Sequence, residues 1–152
     1  MSTSAKTYKC PQSEDTAMYS LPSLITALSL LVYLVLAFNV GLARKKYKVL
    51  PPQMTGDPDF ERVLRVQQNT LEQLVFFLPN LWLFSFYVSP LWGAGIGALW
   101  LVGRIIYAWG YYQAAEKRVI GFGINSLSGV VLLLGSLVGI VLSLLHSDFH
   151  TL

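Results

Sequence analysis

The sequence predicts an all-α membrane protein built as a bundle of four transmembrane helices, and three observations carry that reading. Asp, Glu, Lys and Arg make up only 12% of the 152 residues, about half the share found in soluble domains. The set AVILMFWYC supplies 54%, more apolar material than a chain of this size hides from water when its surface is so large relative to its volume. The scarce charges are also unevenly placed: residues 16–43, 73–103 and 119–147 contain none, and each stretch is as long as the roughly 20 residues a spanning helix needs. Together these exclude a soluble globule and a disordered chain. The single cysteine, Cys10, excludes an internal disulfide framework.

The elements follow in order. Residues 1–20 form a polar segment with Lys6, Lys9, Glu14 and Asp15. It is not a signal peptide, since no apolar core follows a basic start. The first helix, about 21–43, is expected as an uncleaved anchor. The middle uncharged stretch holds Ser89-Pro90-Leu91-Trp92-Gly93, whose Pro and Gly punctuate a turn. It is thus the centre of a hairpin with arms at about 60–88 and 93–113. The third stretch gives a helix at about 119–145, closing a 21–145 transmembrane domain before a short tail, 146–152. Runs this long must pair their backbone groups internally in hydrocarbon, which makes them helices. Loops one and three share Arg44, Lys45, Lys46, Lys48, Lys117 and Arg118, against Lys6 and Lys9 on the other side. That asymmetry places those loops in the cytoplasm and both termini opposite.

The second and third helices carry polar residues that a plain anchor would avoid. Arg65, Asn69 and Glu72 stand at i, i+4 and i+7, as Arg104, Tyr107 and Tyr111 do at i, i+3 and i+7, so each set lines one helix face. Glu72 lies twelve residues after Phe60, about 18 Å along a helix, too deep for a short acid to snorkel. Glu72 and Arg104 are therefore expected to form a structural ion pair, each deep group needing a partner of opposite sign. Arg44, Arg65 and Arg118 outnumber the remaining acids near them. Surplus arginines at the mouth of a membrane pocket point to an anionic ligand, because the planar guanidinium pairs with carboxylates and stays charged when desolvated.

Other features read as structural. His146 and His150, with Asp148 between them, lack a further ligand, and no metal is expected. Gly103 and Gly110, like Gly121, Gly123, Gly129, Gly135 and Gly139, are expected to permit close helix approach. Trp82, Trp92 and Trp100 are interface or packing material. Nothing points to nucleic acid.

Three segments resemble a known family. Residues 60–72, Phe-Glu-Arg-Val-Leu-Arg-Val-Gln-Gln-Asn-Thr-Leu-Glu, look like the signature of the MAPEG superfamily, the membrane-associated proteins in eicosanoid and glutathione metabolism. Residues 43–49 and 103–112 match it also, and the resemblance covers about 25–120. Within the family it is nearest the microsomal glutathione transferases of types two and three and leukotriene C synthase. The resemblance implies a homotrimer binding glutathione between subunits, in a cleft open to the cytoplasm. It assigns Arg44, Arg65, Gln67, Asn69, Glu72, Tyr107 and Tyr111 to glutathione binding, Arg118 to activation of the thiol, and Arg104 to the base of the pocket. Gln73 replaces an aromatic common in relatives, Pro79 is displaced from the usual proline, and Val130 replaces a tryptophan of leukotriene C synthase. This last departure favours a general transferase or peroxidase over a dedicated leukotriene synthase.

The implied activity is a membrane glutathione transferase that presents thiolate to an apolar electrophile, with peroxidase action on lipid hydroperoxides. It suits a pocket of several arginines and one glutamate, because glutathione carries two carboxylates and one amine. Two other classes remain open at this stage. One is a non-catalytic lipid-binding scaffold of the same superfamily, which needs neither Arg65 nor Arg118. The other is a small multidrug transporter, which would place an acid in the first helix, where this chain has none.

Overall fold

The computed structural model describes residues 17–149, with side chains through His146. Lys6, Lys9, Cys10 and His150 lie outside the described residues. Among the described residues the order is α1 (Ser20–Tyr47), α2 (Pro58–Tyr87), α3 (Pro90–Gln113), a 3-10 turn (Ala115–Arg118) and α4 (Val119–Phe149).

The helices begin and end where local chemistry directs. α1 runs past its apolar stretch because Arg44, Lys45 and Lys46 occupy its last turn, where positive charge complements the helix dipole. It stops at Lys48, whose φ of 55° is left-handed, and the amide of Val49 donates back to the Arg44 carbonyl at 3.1 Å. α2 starts on Asp57, whose carboxylate accepts the Asp59 amide at 2.8 Å, followed by Pro58 at the first helical position. Proline is favoured there because that amide has no intrahelical partner in any case. The same logic corrects the start of α3. Pro90, expected to belong to the turn, opens the helix, with the Ser89 hydroxyl accepting the Trp92 amide at 3.4 Å. Pro79 lies inside α2 without ending it.

Three segments are long and apolar enough to cross a membrane: Ser20–Tyr47, Pro90–Gln113 and Ala115–His146. α2 does not meet that measure: Asp59, Glu61, Arg62, Arg65 and Glu72 crowd its first half, and Gln73, Pro79 and Asn80 dilute the apolar character of its second. It is nonetheless 30 residues long and central: α2 and α3 pack on each other and on both α1 and α4. The main core gathers Ile25, Leu74, Phe77, Leu81, Phe84, Trp100 and Leu132. A second cluster of Leu36, Val66, Tyr107, Ala108 and Tyr111 lies beneath the polar end.

Two glycines bring the elements close enough to build that end. A Cβ on Gly121 of α4 would collide with the backbone of Tyr107, and one on Gly110 would collide with the Lys117 carbonyl. Gly121 thus sets α4 against α3, and Gly110 lets the 3-10 turn fold back over α3. Gly123, grouped with them from sequence, faces open space.

Candidate functional site

The 3-10 turn delivers Arg118 to the end of α3. Its guanidinium lies 5.0 Å from the Tyr111 ring centroid, and the Tyr111 ring is 5.8 Å from that of Tyr107. Both tyrosines are buried, at 8% and 3% exposure, so their rings present a fixed wall. Arg118 itself is exposed, which leaves its charge free to meet a ligand. Asn69, Tyr107, Arg118, Val119 and Phe122 line a cavity of about 360 Å³, within the roughly 300–1,000 Å³ common for small-molecule sites. The cavity is polar on its α2 and turn sides and apolar toward α4. Glu72 lies near enough for its charge to act on Tyr107, as do the charges of Arg104 and Arg118.

Other residues singled out from sequence sit elsewhere in the subunit. Arg65 is exposed and lines a separate cavity of about 230 Å³ with Met54, Thr55, Glu61, Leu64 and Gln68. Arg44 is engaged by its own loop: Nη1 donates to the Gln53 carbonyl at 2.8 Å and to that of Val49 at 3.5 Å. Its guanidinium also lies 5.1 Å from the Phe60 centroid. Gln67 turns toward α1, where Nε2 donates to the Tyr33 hydroxyl at 2.8 Å. Asn69 Nδ2 donates to the Arg65 carbonyl at 2.9 Å, one turn back. The expected set is therefore divided within one subunit. Asn69, Tyr107, Tyr111 and Arg118 come together, whereas Arg44, Arg65 and Gln67 do not join them.

The expected Glu72–Arg104 ion pair is not formed within the subunit. Among the described residues the ion pair is Arg62–Asp59, one turn apart on α2. Glu72 is exposed, and Arg104 is 2% exposed. The cause is azimuth rather than depth. The inner face of α2 is marked by Thr70 and Leu74, and Glu72, two residues from each, lies about 200° around the helix from both. Arg104 faces rings instead, 5.3 Å from the Trp100 centroid and 4.7 Å from that of Tyr107.

Sequence reading also missed contributors. Val119 and Phe122 follow Arg118 at i+1 and i+4, a helical spacing that could have been extended from it. Tyr33 and Asn125 carried a weaker signal, as polar residues inside apolar stretches. Asn125 is 1% exposed, and its Nδ2 donates to the Trp100 carbonyl at 2.7 Å.

The fold and site define a class: a helical membrane bundle whose polar end offers a pocket of arginine and tyrosine. The chain belongs to the MAPEG family, whose family model matches residues 22–138; this is a family of membrane-bound proteins. Over 120 residues it is 63% identical to an uncharacterized protein of Synechocystis, covering 79% of this chain and 88% of that one. It is similar to human microsomal glutathione S-transferase 2, with 43% identity over 102 residues, 66% of this chain and 69% of the relative. It is also similar to guinea pig (Cavia porcellus) leukotriene C4 synthase, with 37% identity over 95 residues, 62% of this chain and 63% of the relative.

Proposed function

We propose that the chain is an integral membrane glutathione transferase with four spanning helices, active as a homotrimer, that activates the glutathione thiol at Arg118. The observation that carries this is the juxtaposition of Arg118, Tyr107 and Asn69 around one cavity, with the Tyr111 ring under the Arg118 guanidinium. A free thiol has a pKa of about 8.5, and its thiolate is the nucleophile. A fixed guanidinium beside the sulfur lowers that pKa. A shift of about two units corresponds to roughly 2.7 kcal/mol in favour of thiolate. Arg118 does this without changing its own protonation state. The thiolate then attacks an electrophilic carbon, a sulfur–carbon bond forms, and the leaving group departs with its electron pair. With a lipid hydroperoxide the sulfur attacks the terminal oxygen and the oxygen–oxygen bond breaks, releasing the lipid alcohol. A second glutathione then displaces hydroxide from the sulfenic acid, giving disulfide and water.

The division of Arg44, Arg65 and Gln67 from the Arg118 cavity supports a site completed between subunits. In that arrangement the arginines of one subunit hold the carboxylates of glutathione while its thiol reaches Arg118 of the next. The excess of Lys and Arg at this end supports a cytoplasmic placement. The apolar partner arrives through the bilayer past Val119 and Phe122. The decisive experiment is turnover of the purified protein in nanodiscs with glutathione, measured side by side against a halogenated nitroaromatic and a lipid hydroperoxide. Ultraviolet absorbance of thiolate on adding glutathione is the accompanying signal. Absence of both turnover and thiolate would leave the scaffold reading in its place.

A further inference from the structure

Arg104 is a buried cation that no acid neutralises among the described residues. It is 2% exposed, its Nε has no hydrogen-bond partner, and it joins no ion pair among the described residues. Burying an ionised side chain this way is costly, and an apolar residue of similar length would fill the same space without that cost. What surrounds the guanidinium is a set of π faces, and their order along the bundle gives the charge a use. Trp100 is stacked on Phe77 of α2, with centroids 3.9 Å apart and planes 3° from parallel, and its carbonyl is held by Asn125 of α4. Arg104 bridges that anchored ring to Tyr107, 5.3 Å from one centroid and 4.7 Å from the other. Tyr107 adjoins Tyr111, and Tyr111 carries Arg118. Phe77, Trp100, Arg104, Tyr107, Tyr111 and Arg118 thus form one continuous ladder from the packed core to the cavity.

We infer that Arg104 is a positioning residue of the site, seating Tyr107 against the core and, through Tyr111, fixing where the Arg118 guanidinium rests. The inference builds on the reading of Arg118 as the thiolate's partner. A guanidinium suits the task because its flat cation is attracted to a ring on each of two sides, where a carboxylate-paired arginine would be drawn off the rings. The charged and titratable groups acting on Tyr107 are Arg104 and Tyr111 from its own helix, Arg118 from the turn and Glu72 from α2. Of these four, only Arg104 is substituted in the variants below.

The test compares wild type with Arg104→Lys, Arg104→Gln and Arg104→Met in nanodiscs. Three quantities are read: thiolate absorbance of bound glutathione against pH, the glutathione dissociation constant, and kcat against KM for a halogenated nitroaromatic. Gln and Met should raise the bound thiol pKa by about one unit. They should lower kcat several-fold at neutral pH, with recovery as pH rises, and leave glutathione affinity within about threefold. Lys keeps the cation without the planar fork, and should fall between wild type and Gln. If Gln and Met fail to fold, the Lys profile alone decides by the same criterion. Variants that melt earlier but keep the wild-type pH profile would overturn the inference, since a merely structural arginine predicts that result. A tenfold loss of glutathione affinity with an unmoved thiol pKa would also overturn it, making Arg104 a direct ligand. A wild-type protein without thiolate would remove the transferase reading and this inference with it. A wild-type signal with unshifted variants would remove this inference alone.

Discussion

Arg118 and Glu72 show what a single residue can and cannot disclose. Arg118 is exposed and rests on a buried tyrosine, so its replacement should disturb chemistry more than folding. Arg118→Ala should leave the glutathione dissociation constant nearly unchanged and cut turnover at neutral pH by about tenfold or more. The sign follows from the thiol: without the cation its pKa rises toward about 8.5, so thiolate is lost at neutral pH and regained as pH rises. A pH–rate profile of the folded variant checks this, and Arg118→Lys should keep part of the rate. Glu72 behaves differently. A buried pair would lose about 3–5 kcal/mol on losing one partner. The exposed Glu72 of this structure predicts that Glu72→Gln changes stability by no more than about 0.5 kcal/mol. Thermal unfolding of the variant measures it. Any loss of activity would then report a direct contact with the ligand amine. The depth of Glu72 was legible from its distance to Phe60; its direction was not, because a two-residue offset from Leu74 reverses the face.

At the scale of elements, helix existence was written in the absence of charge, and helix limits in capping chemistry. The four helices stand within a few residues of the limits that the charge-free stretches imply. Pro90 is the exception, since a proline both ends a helix and begins one, and only the Ser89 cap shows which. In the sequence the 3-10 turn is marked only as the third loop, by Lys117 and Arg118. Its geometry rests on Gly110, which leaves room for the Lys117 carbonyl. Gly110→Ala should push the turn away from α3 at a cost of about 1–3 kcal/mol. It should also lower turnover with little change in membrane insertion, which a thermal melt beside an activity assay will show. Gly123→Ala, facing open space, serves as the control and should be neutral or slightly stabilising.

For the whole molecule, the composition fixed a helical membrane protein and three motifs fixed its family, but no single chain shows how a site is shared. Arg44 and Gln67 were placed near the ligand by resemblance. In one subunit the first is held by the Gln53 and Val49 carbonyls and the second by Tyr33. Spacing along a sequence cannot distinguish a residue that serves its own pocket from one that serves a neighbour's. The shared-site reading predicts three chains per particle by mass measurement in detergent or nanodiscs. A stable, fully active monomer would contradict it.

The cation ladder has a bearing on how such an assembly responds to dilution. Its rungs belong to one chain, so under the proposed function the group that would activate sulfur is present in a lone subunit, while the arginines proposed to hold the carboxylates are not beside it. Reactivity and affinity should therefore part company as the particle is diluted below its association threshold. Glutathione would be released first, whereas a small thiol with no carboxylates, having little grip to lose, should decline far less.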